Sequence, residues 1–174
     1  MTKLKNNNIL LFLASDKFSE IEFKTVKYAL EKRSIRIFIT SDANSVCVGD
    51  SGMKVKPDVN LFNVHAGNFS ALIIIGGDGI KKYWNDSALQ NIARSFDSKG
   101  KIIAAICSAP VILANCGLLE NKTAACFKND SMHLTKSGVN YSESSVVEDS
   151  NIITGQSPAS AKDFADKIIS RLFS

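Results

Sequence analysis

Lys101-Ile-Ile-Ala-Ala-Ile-Cys107-Ser-Ala-Pro-Val-Ile-Leu-Ala-Asn-Cys-Gly117 is the stretch that decides the fold. Its first half, residues 102–106, is a continuous apolar run, which is typical of a parallel strand buried on both faces. Its second half, residues 109–114, is predicted to be helical, because a proline stands in its first turn and a glycine follows its end. Cys107 therefore falls at a tight bend between strand and helix, which resembles a nucleophile elbow with Cys in place of Ser.

The position of this thiol has a chemical consequence. A thiol at the N-terminus of a helix lies near unpaired backbone N–H groups and the positive end of the helix dipole, and both favour the thiolate. Cys107 is therefore a candidate nucleophile, and its pKa is expected to be lowered. The alternative is a small buried cysteine that only packs, since free cysteine is among the most buried residue types.

The length and composition indicate an ordinary globular protein. The 174 residues predict one domain over residues 1–174, with residues 1–7 as a polar N-terminal extension. The hydrophobic and charged fractions, 45% and 22%, are typical of a soluble chain. The formal net charge of +4 comes from scattered lysines, so binding to nucleic acid is disfavoured. The apolar run at residues 9–14 is too short for a signal peptide or a membrane span, so no membrane partner is expected.

The cysteines and histidines do not form a metal-binding pattern. They show no CxxC pair and no ligand spacing, so we expect free thiols in a reducing cytoplasm and no metal site. The residues concerned are Cys47, Cys107, Cys116, Cys126, His65 and His133.

Strand-like and helical patterns alternate along the chain. The predicted strands are residues 9–14, 35–40, 71–75, 102–106, 144–147 and 151–154. The predicted helices are residues 18–32, 85–98 and 109–114, and a last helix with Ser157 as N-cap and Pro158 at its first position. Residues 46–59 are interpreted as a small hairpin, and residues 123–137 as a short strand followed by a helix or loop. This alternation predicts an α/β fold, a doubly wound and mostly parallel sheet with helices on both faces.

Two glutamates of the first helix have different environments. Glu20 lies on a polar stripe with oppositely charged residues four positions apart, so it is predicted to be solvated. Glu22 lies on the apolar stripe, where a carboxylate is unfavourable unless it is partnered or protonated. A protonated Glu22 could donate a hydrogen bond to Cys107, and the two groups would then titrate together. A hydrogen-bonded core Glu without a catalytic role is the alternative.

A glycine cluster, Gly76-Gly77-Asp78-Gly79, directly follows the predicted strand at residues 71–75. Glycines there let the backbone approach a ligand and point N–H groups into a site. The cluster matches no nucleotide-binding motif. The N–H group of Gly77, with those of Ser108 and Ala109, could form an oxyanion hole.

These features together resemble the ThiJ/PfpI superfamily, over about residues 8–173. The most specific part is Ala104-Ala-Ile-Cys-Ser-Ala-Pro-Val-Ile-Leu-Ala114, followed by Gly117-Leu-Leu-Glu-Asn-Lys-Thr. The resemblance implies a flavodoxin-like fold of the class I glutamine amidotransferase-like type and a homodimer. It places Glu22 where the family has the acidic partner of its cysteine, and Gly76 and Gly77 where it has its oxyanion-hole glycines. Members are described as glutathione-independent glyoxalases, protein deglycases, oxidative-stress sensors, chaperones and peptidases.

The sequence departs from the family pattern at two places. Ser108 stands where peptidase-like members have His, which removes the general base of a cysteine protease, so proteolysis is disfavoured. Cys126 stands where deglycase-like members have His, and a thiol is the poorer acid–base group at neutral pH. His133 could take that role if its loop folds back. Cys126 could instead be a resolving thiol for an oxidised Cys107.

Two functions remain in competition. In the favoured one, Cys107 and Glu22 convert a reactive 2-oxoaldehyde or a glycated substrate, without glutathione, metal or organic cofactor. In the alternative, the chain is an oxidative-stress sensor or redox chaperone, in which Cys107 is oxidised to the sulfinic acid without turnover.

Overall fold

Residues 8–43 and 45–174 are described by the computed structural model, so the predicted extension over residues 1–7 lies outside the described residues. The strands are β1 (Asn8–Phe12), β2 (Asp16–Phe18), β3 (Arg36–Ser41), β4 (Cys47–Gly49), β5 (Lys54–Val55), β6 (Val59–Asn60), β7 (Ala71–Ile74), β8 (Ile102–Ile106), β9 (Thr123–Ala124), β10 (Asn140–Tyr141), β11 (Val146–Asp149) and β12 (Ile152–Gly155). The helices are α1 (Glu20–Glu31), α2 (Ser87–Asp97), α3 (Pro110–Asn115), α4 (Ser131–Lys136) and α5 (Ala161–Leu172).

The central sheet has seven strands in the order β11-β12-β8-β7-β1-β3-β6. All neighbouring strands pair in parallel except β11 and β12, which are antiparallel. The strands in the middle of the sheet are the continuous apolar runs of the sequence, and they are almost fully buried. The predicted doubly wound, mostly parallel α/β fold is confirmed.

Helices cover both faces of this sheet. Helices α1 and α5 pack against each other, and α5 also packs on β8 and β12. Helix α2 packs on β7 and β8, while α3 contacts α2 and α4. In the part of the chain that the structure describes, no helix combines the length and apolar character needed to cross a membrane.

Helices α1 and α5 begin later than the sequence predicts, for different reasons. Residues 16–18 form β2, which pairs with β4, so α1 begins at Glu20 with Ser19 as its N-cap. Residues 158–160 form a 3-10 turn closed by the Ser160 N–H, which donates to the Ser157 carbonyl at 2.9 Å. Helix α5 therefore starts at Ala161, and the side chain of Ser157 makes no capping hydrogen bond.

The segment predicted as a small hairpin contains β4 and β5, which pair antiparallel, and β6, which joins the central sheet instead. The prediction that Glu20 is solvated is wrong. Glu20 is 6% exposed, because its Oε1 accepts the backbone N–H groups of Ser51 and Met53 at 2.9 and 2.8 Å. Its Oε2 pairs with Lys24 at 3.0 Å. Glu20 thus joins α1 to the β4–β5 hairpin.

The last two strands are displaced from their predicted positions. Glu148 and Asp149 were expected in a turn, but both lie in β11, whose register pairs Asp149 with Ile152. The turn falls at Ser150, which has a φ of +58°. Residues 123–137, predicted as a short strand followed by a helix or loop, contain the strand β9 and the helix α4.

Candidate active site

Cys107 lies at the bend between β8 and α3, as the sequence predicts. It has a φ of +63°, which is an unfavourable backbone conformation for a residue other than glycine. Two hydrogen bonds hold this conformation. The Cys107 N–H donates to the Gly155 carbonyl at 2.9 Å, and the Cys107 carbonyl accepts the Phe127 N–H at 2.8 Å. The side chain is 8% exposed, so the bend presents the thiol at the end of the sheet while shielding most of it.

Glu22 is fully buried beside this thiol. Its Oε2 accepts the Gly76 N–H at 2.8 Å, whereas Oε1 has no hydrogen-bond partner among the described residues. Burial raises the pKa of Glu22 to about 7, against the opposing effects of the Gly76 N–H and the Cys107 thiol. The carboxyl group is therefore partly protonated at neutral pH. Because Oε1 has no donor of its own, it is the oxygen suited to hold that proton.

The pKa of Cys107 differs from the expectation. Burial raises it to about 12, and the charge of an ionised Glu22 adds to the effect. The Gly77 N–H and the Ser108 hydroxyl oppose the shift without reversing it. The helix dipole argument fails here because α3 is only six residues long and the thiol is desolvated. Cys107 and Glu22 form a coupled pair that has one negative charge at most near neutral pH, since each charge disfavours the other.

A cleft of about 410 Å³ opens over the pair. Its lining residues include Glu22, Gly77, Cys107, Ser108, Phe127 and Lys17. Lys17 has a φ of +50° and lies at the register shift where β2 pairs with β4. The cleft has the size of a small-molecule site and contains both predicted catalytic side chains.

The predicted oxyanion-hole groups divide into two sets. The Gly76 N–H is bonded to Glu22 and the Ala109 N–H donates to the Ile106 carbonyl at 3.1 Å, so neither is available to a substrate. Within residues 8–43 and 45–174, the N–H groups of Gly77 and Ser108 donate to no protein oxygen. Gly76 therefore holds the carboxyl group of Glu22. Of the four predicted groups, the N–H groups of Gly77, which faces the Cys107 sulfur, and of Ser108 donate to no oxygen of the described residues.

The glycine cluster has a packing role that the sequence did not indicate. A Cβ atom at Gly77 would lie 2.5 Å from the Lys17 carbonyl oxygen, and one at Gly79 would lie 1.6 Å from the Asp16 carbonyl oxygen. A Cβ at Gly76 would lie 2.6 Å from the Cys107 Cβ. The absence of side chains lets this loop pack directly on the β2 segment and on the elbow.

Neither Cys126 nor His133 lines the cleft. The Cys126 thiol is fully buried and donates to the Phe127 carbonyl at 3.3 Å, and burial raises its pKa to about 12. His133 is exposed, and its ring packs on Trp84 with 4.5 Å between centroids. The indole N–H of Trp84 donates to the Ser108 carbonyl at 2.9 Å. Trp84 therefore lies between His133 and the site.

Asp130 was not found by sequence reasoning. Its carboxylate is 5% exposed and accepts the Ser108 hydroxyl at 2.5 Å. The local sequence gives no signal of this burial, because Asp130 stands at the start of the short helix α4, where Asp is ordinarily a cap. Its side chain makes no capping bond there.

The described residues contain no group of three or more His, Cys, Asp or Glu side chains that could hold a metal ion. The four cysteines are unpaired.

Comparisons with known proteins agree with this fold. A family model described as the DJ-1/PfpI family matches residues 7–171. An uncharacterized protein of Methanocaldococcus jannaschii is 31% identical over 169 residues, covering 95% of this chain and 82% of that protein. Deglycase PfpI of Pyrococcus furiosus is 27% identical over 149 residues, covering 86% of this chain and 90% of that protein.

Among solved structures, a ThiJ/PfpI domain protein from Brachyspira murdochii has a TM-score of 0.94 and 31% identity, and the match covers 97% of each chain. Drosophila melanogaster DJ-1beta has a TM-score of 0.86 and 27% identity, covering 96% of this chain and 90% of that one.

Proposed function

The chain belongs to the DJ-1/PfpI family, and we propose that it converts reactive 2-oxoaldehydes, or the adducts they form on other molecules, by thiol chemistry at Cys107. Its relatives include proteins named deglycases, and that name supports an aldehyde-related substrate. The reaction needs no glutathione in this proposal, because the nucleophile is supplied by the protein.

The first step is attack of the Cys107 thiolate on the aldehyde carbon of a substrate such as methylglyoxal. A carbon–sulfur bond forms as the carbonyl π bond opens, and the carbonyl oxygen takes the single proton of the Cys107–Glu22 pair from Glu22. The product is a hemithioacetal, and Glu22 is left ionised for the next step. The N–H groups of Gly77 and Ser108, which donate to no oxygen among the described residues, stabilise the developing oxyanion.

The second step moves a proton between the two carbons of the substrate. Glu22 removes the proton from the carbon bonded to sulfur, and a proton is returned to the neighbouring carbon. The product is a thioester of a 2-hydroxy acid on Cys107. Water then hydrolyses this thioester and releases lactate, with Cys107 regenerated.

One observation supports this proposal most strongly: the buried Oε1 of Glu22 has no hydrogen-bond partner among the described residues and belongs to a carboxyl group with a pKa of about 7 beside the thiol. A buried polar atom without a partner is costly. A group with a pKa near the working pH is suited to accept and return a proton. A Glu with only a structural role needs neither property.

The experiment is lactate formation from methylglyoxal by the reduced protein in the absence of glutathione. Wild type is compared with Cys107→Ser and Glu22→Gln, and Cys116→Ser is the matched control, since Cys116 is a buried thiol outside the cleft. The proposal predicts turnover in wild type and the control, and loss of at least about a hundredfold in the other two variants. A folded, reduced wild type that forms no lactate would rule the proposal out for this substrate.

Oxidation of Cys107 is the second candidate function. The Gly77 N–H interacts with the sulfur and could donate to an oxygen of a sulfinic acid. Mass spectrometry after peroxide treatment tests this candidate. It requires faster oxidation at Cys107 than at Cys47 or Cys116, and equal oxidation of the three would eliminate it.

We also propose that the protein is a homodimer. Ile21 and Tyr28 are 62% and 60% exposed and lie seven residues apart, so they share one face of α1. Exposed apolar side chains on one face favour a protein partner. A cytoplasmic location is likewise proposed, and the four unpaired cysteines support it.

A further inference from the structure

A chain of hydrogen bonds fixes Asp130 relative to the nucleophile. The Cys107 carbonyl accepts the Phe127 N–H at 2.8 Å, and the Phe127 carbonyl accepts the Asp130 N–H at 2.8 Å. The Asp130 carboxylate in turn accepts the hydroxyl of Ser108, the residue bonded to Cys107. These contacts close a ring, so Asp130 and the elbow hold a defined geometry relative to each other.

Ser108 joins the buried Asp130 carboxylate to the cleft. It lines the cleft together with Cys107 and Phe127, whereas Asp130 does not. Its carbonyl is held by the Trp84 indole N–H at 2.9 Å, which fixes the backbone on the other side. Its hydroxyl donates to Asp130 Oδ2 at 2.5 Å, and this bond leaves its oxygen lone pairs free to accept a proton from the cleft.

The Ser108–Asp130 bond places a carboxylate in a buried position next to the elbow. Asp130 is 5% exposed, and burying a carboxylate is costly unless it is well compensated. The ammonium group of Lys81 pairs with Asp78 at 3.1 Å and also interacts with the charges of Asp130 and Cys107. The buried thiol of Cys126 interacts with the same carboxylate.

We propose that Ser108 and Asp130 form a proton relay that activates water for hydrolysis of the acyl group on Cys107. This inference rests on the proposed function, because that function passes through a thioester. Ser108 is the catalytic residue of the step, since it touches the reacting water. Asp130 is a positioning residue that orients the Ser108 hydroxyl and receives its proton.

The step balances without any further reactant. The water oxygen bonds to the thioester carbonyl carbon while one water proton passes to Ser108 Oγ and the original hydroxyl proton passes to Asp130. The carbon–sulfur bond then breaks, the acid leaves, and Cys107 departs as the thiolate. The proton on Asp130 returns through Ser108 to the sulfur, which restores the starting state.

The test uses p-nitrophenyl acetate, because this probe acetylates a reactive thiol and does not require a 2-oxoaldehyde. Release of p-nitrophenolate reports acylation of Cys107, and loss of the acetyl mass from the protein reports deacylation. The variants are Ser108→Ala, Asp130→Asn and the double variant. Asp149→Asn is the matched control, since Asp149 accepts the Ser150 hydroxyl at 3.0 Å in a comparable pair away from the cleft.

The relay predicts that the variants slow deacylation of Cys107 far more than its acylation. In both single variants deacylation slows by about a hundredfold, the lower range of general acid–base catalysis. Acylation slows by less than about tenfold, because the relay takes no part in that step and Ser108→Ala removes only the effect of the hydroxyl on the Cys107 thiol. The double variant is no slower than the slower single variant, because two members of one relay are not additive. The control behaves as wild type in both steps.

Two results would overturn the relay. One is deacylation at the wild-type rate in Asp130→Asn. The other is acylation that slows in the same proportion as deacylation, which would mean that Asp130 only supports the fold. Failure of the proposed function is a separate result, because it appears as absence of lactate from methylglyoxal while the acetyl-Cys107 measurement still gives an answer.

Discussion

At the scale of single residues, Glu22 combines burial with an incomplete set of hydrogen bonds. One carboxyl oxygen accepts the Gly76 N–H, and the other has no partner among the described residues. Desolvation therefore dominates, and the pKa rises from 4.5 to about 7. Glu20, two residues earlier on the same helix, has the opposite behaviour, since backbone N–H groups of Met53 and Ser51 lower its pKa. The backbone N–H groups that each carboxylate accepts therefore decide whether its pKa is raised or lowered.

The raised pKa of Glu22 predicts how stability depends on pH. Above about pH 4.5 the folded state keeps a proton on Glu22 that the unfolded chain releases. The stabilisation that protonated Glu22 gives to the folded state is therefore fully present below that pH. It is lost as pH rises to about 7. Between about pH 4.5 and pH 7.5, the free energy of unfolding of wild type should therefore fall by about 3 kcal/mol more than that of Glu22→Gln.

Urea unfolding at a series of pH values checks this prediction. The quantity to use is the difference between wild type and variant, because carboxylates with lowered pKa values, such as Glu20 and Asp149, change stability in the opposite direction. Parallel curves for the two proteins would show that Glu22 is ionised throughout.

At the scale of elements, the loop after β7 is built to pack on β2. The Gly79 position is the most crowded of the glycine positions, since an added Cβ would lie 1.6 Å from the Asp16 carbonyl oxygen. That atom belongs to the backbone and cannot rotate away. The loop also supplies Gly76 and Gly77 to the site, so its position affects both stability and the cleft.

Gly79→Ala should destabilise the protein by about 3 kcal/mol or more, at or above the upper end of the usual cost of overpacking. Gly67→Ala is the control, because nothing lies within 4 Å of an added Cβ there and its φ is ordinary. Thermal unfolding compares the two. Equal melting temperatures would mean that the loop after β7 moves freely relative to β2.

The Glu20 contacts predict a local effect on the β4–β5 hairpin. Glu20→Gln weakens two acceptor bonds to backbone N–H groups and removes the charge paired with Lys24. Amide hydrogens over residues 47–55 should then exchange faster than in wild type. Glu31→Gln is the matched control, since Glu31 is the acidic member of another ion pair four residues apart on the same helix, with Lys27. Faster exchange in both variants would place the effect in α1 itself.

At the scale of the whole molecule, the strands predicted from apolar runs form the middle of the sheet. The elbow was also predictable, because strand, cysteine and proline-started helix are adjacent in sequence. Contacts between distant residues were not predictable. Glu20 accepts backbone N–H groups from residues 31 and 33 positions later in the chain. Ser108 donates to Asp130, which lies 22 positions later. The raised pKa of Cys107 depends on desolvation by the assembled fold, which no local pattern reports.

The proposed homodimer predicts a change of mass on substitution. Sedimentation equilibrium should give twice the chain mass for wild type, and Ile21→Lys should shift the distribution towards the monomer by placing a charge in the apolar face of α1. Phe62→Lys is the control, because Phe62 is 78% exposed but lies outside α1. A monomeric wild type, or dissociation by both variants, would contradict an interface on this helix.

The pH dependence of kcat/KM for lactate formation from methylglyoxal is the most direct test of the central claim, that Cys107 and Glu22 act as one coupled pair. The pair becomes reactive when it loses its first proton, so the rate should rise across about pH 7 in wild type. In Glu22→Gln the remaining activity should be low and show no rise in that range. A flat wild-type profile, or the same inflection in the variant, would contradict the account.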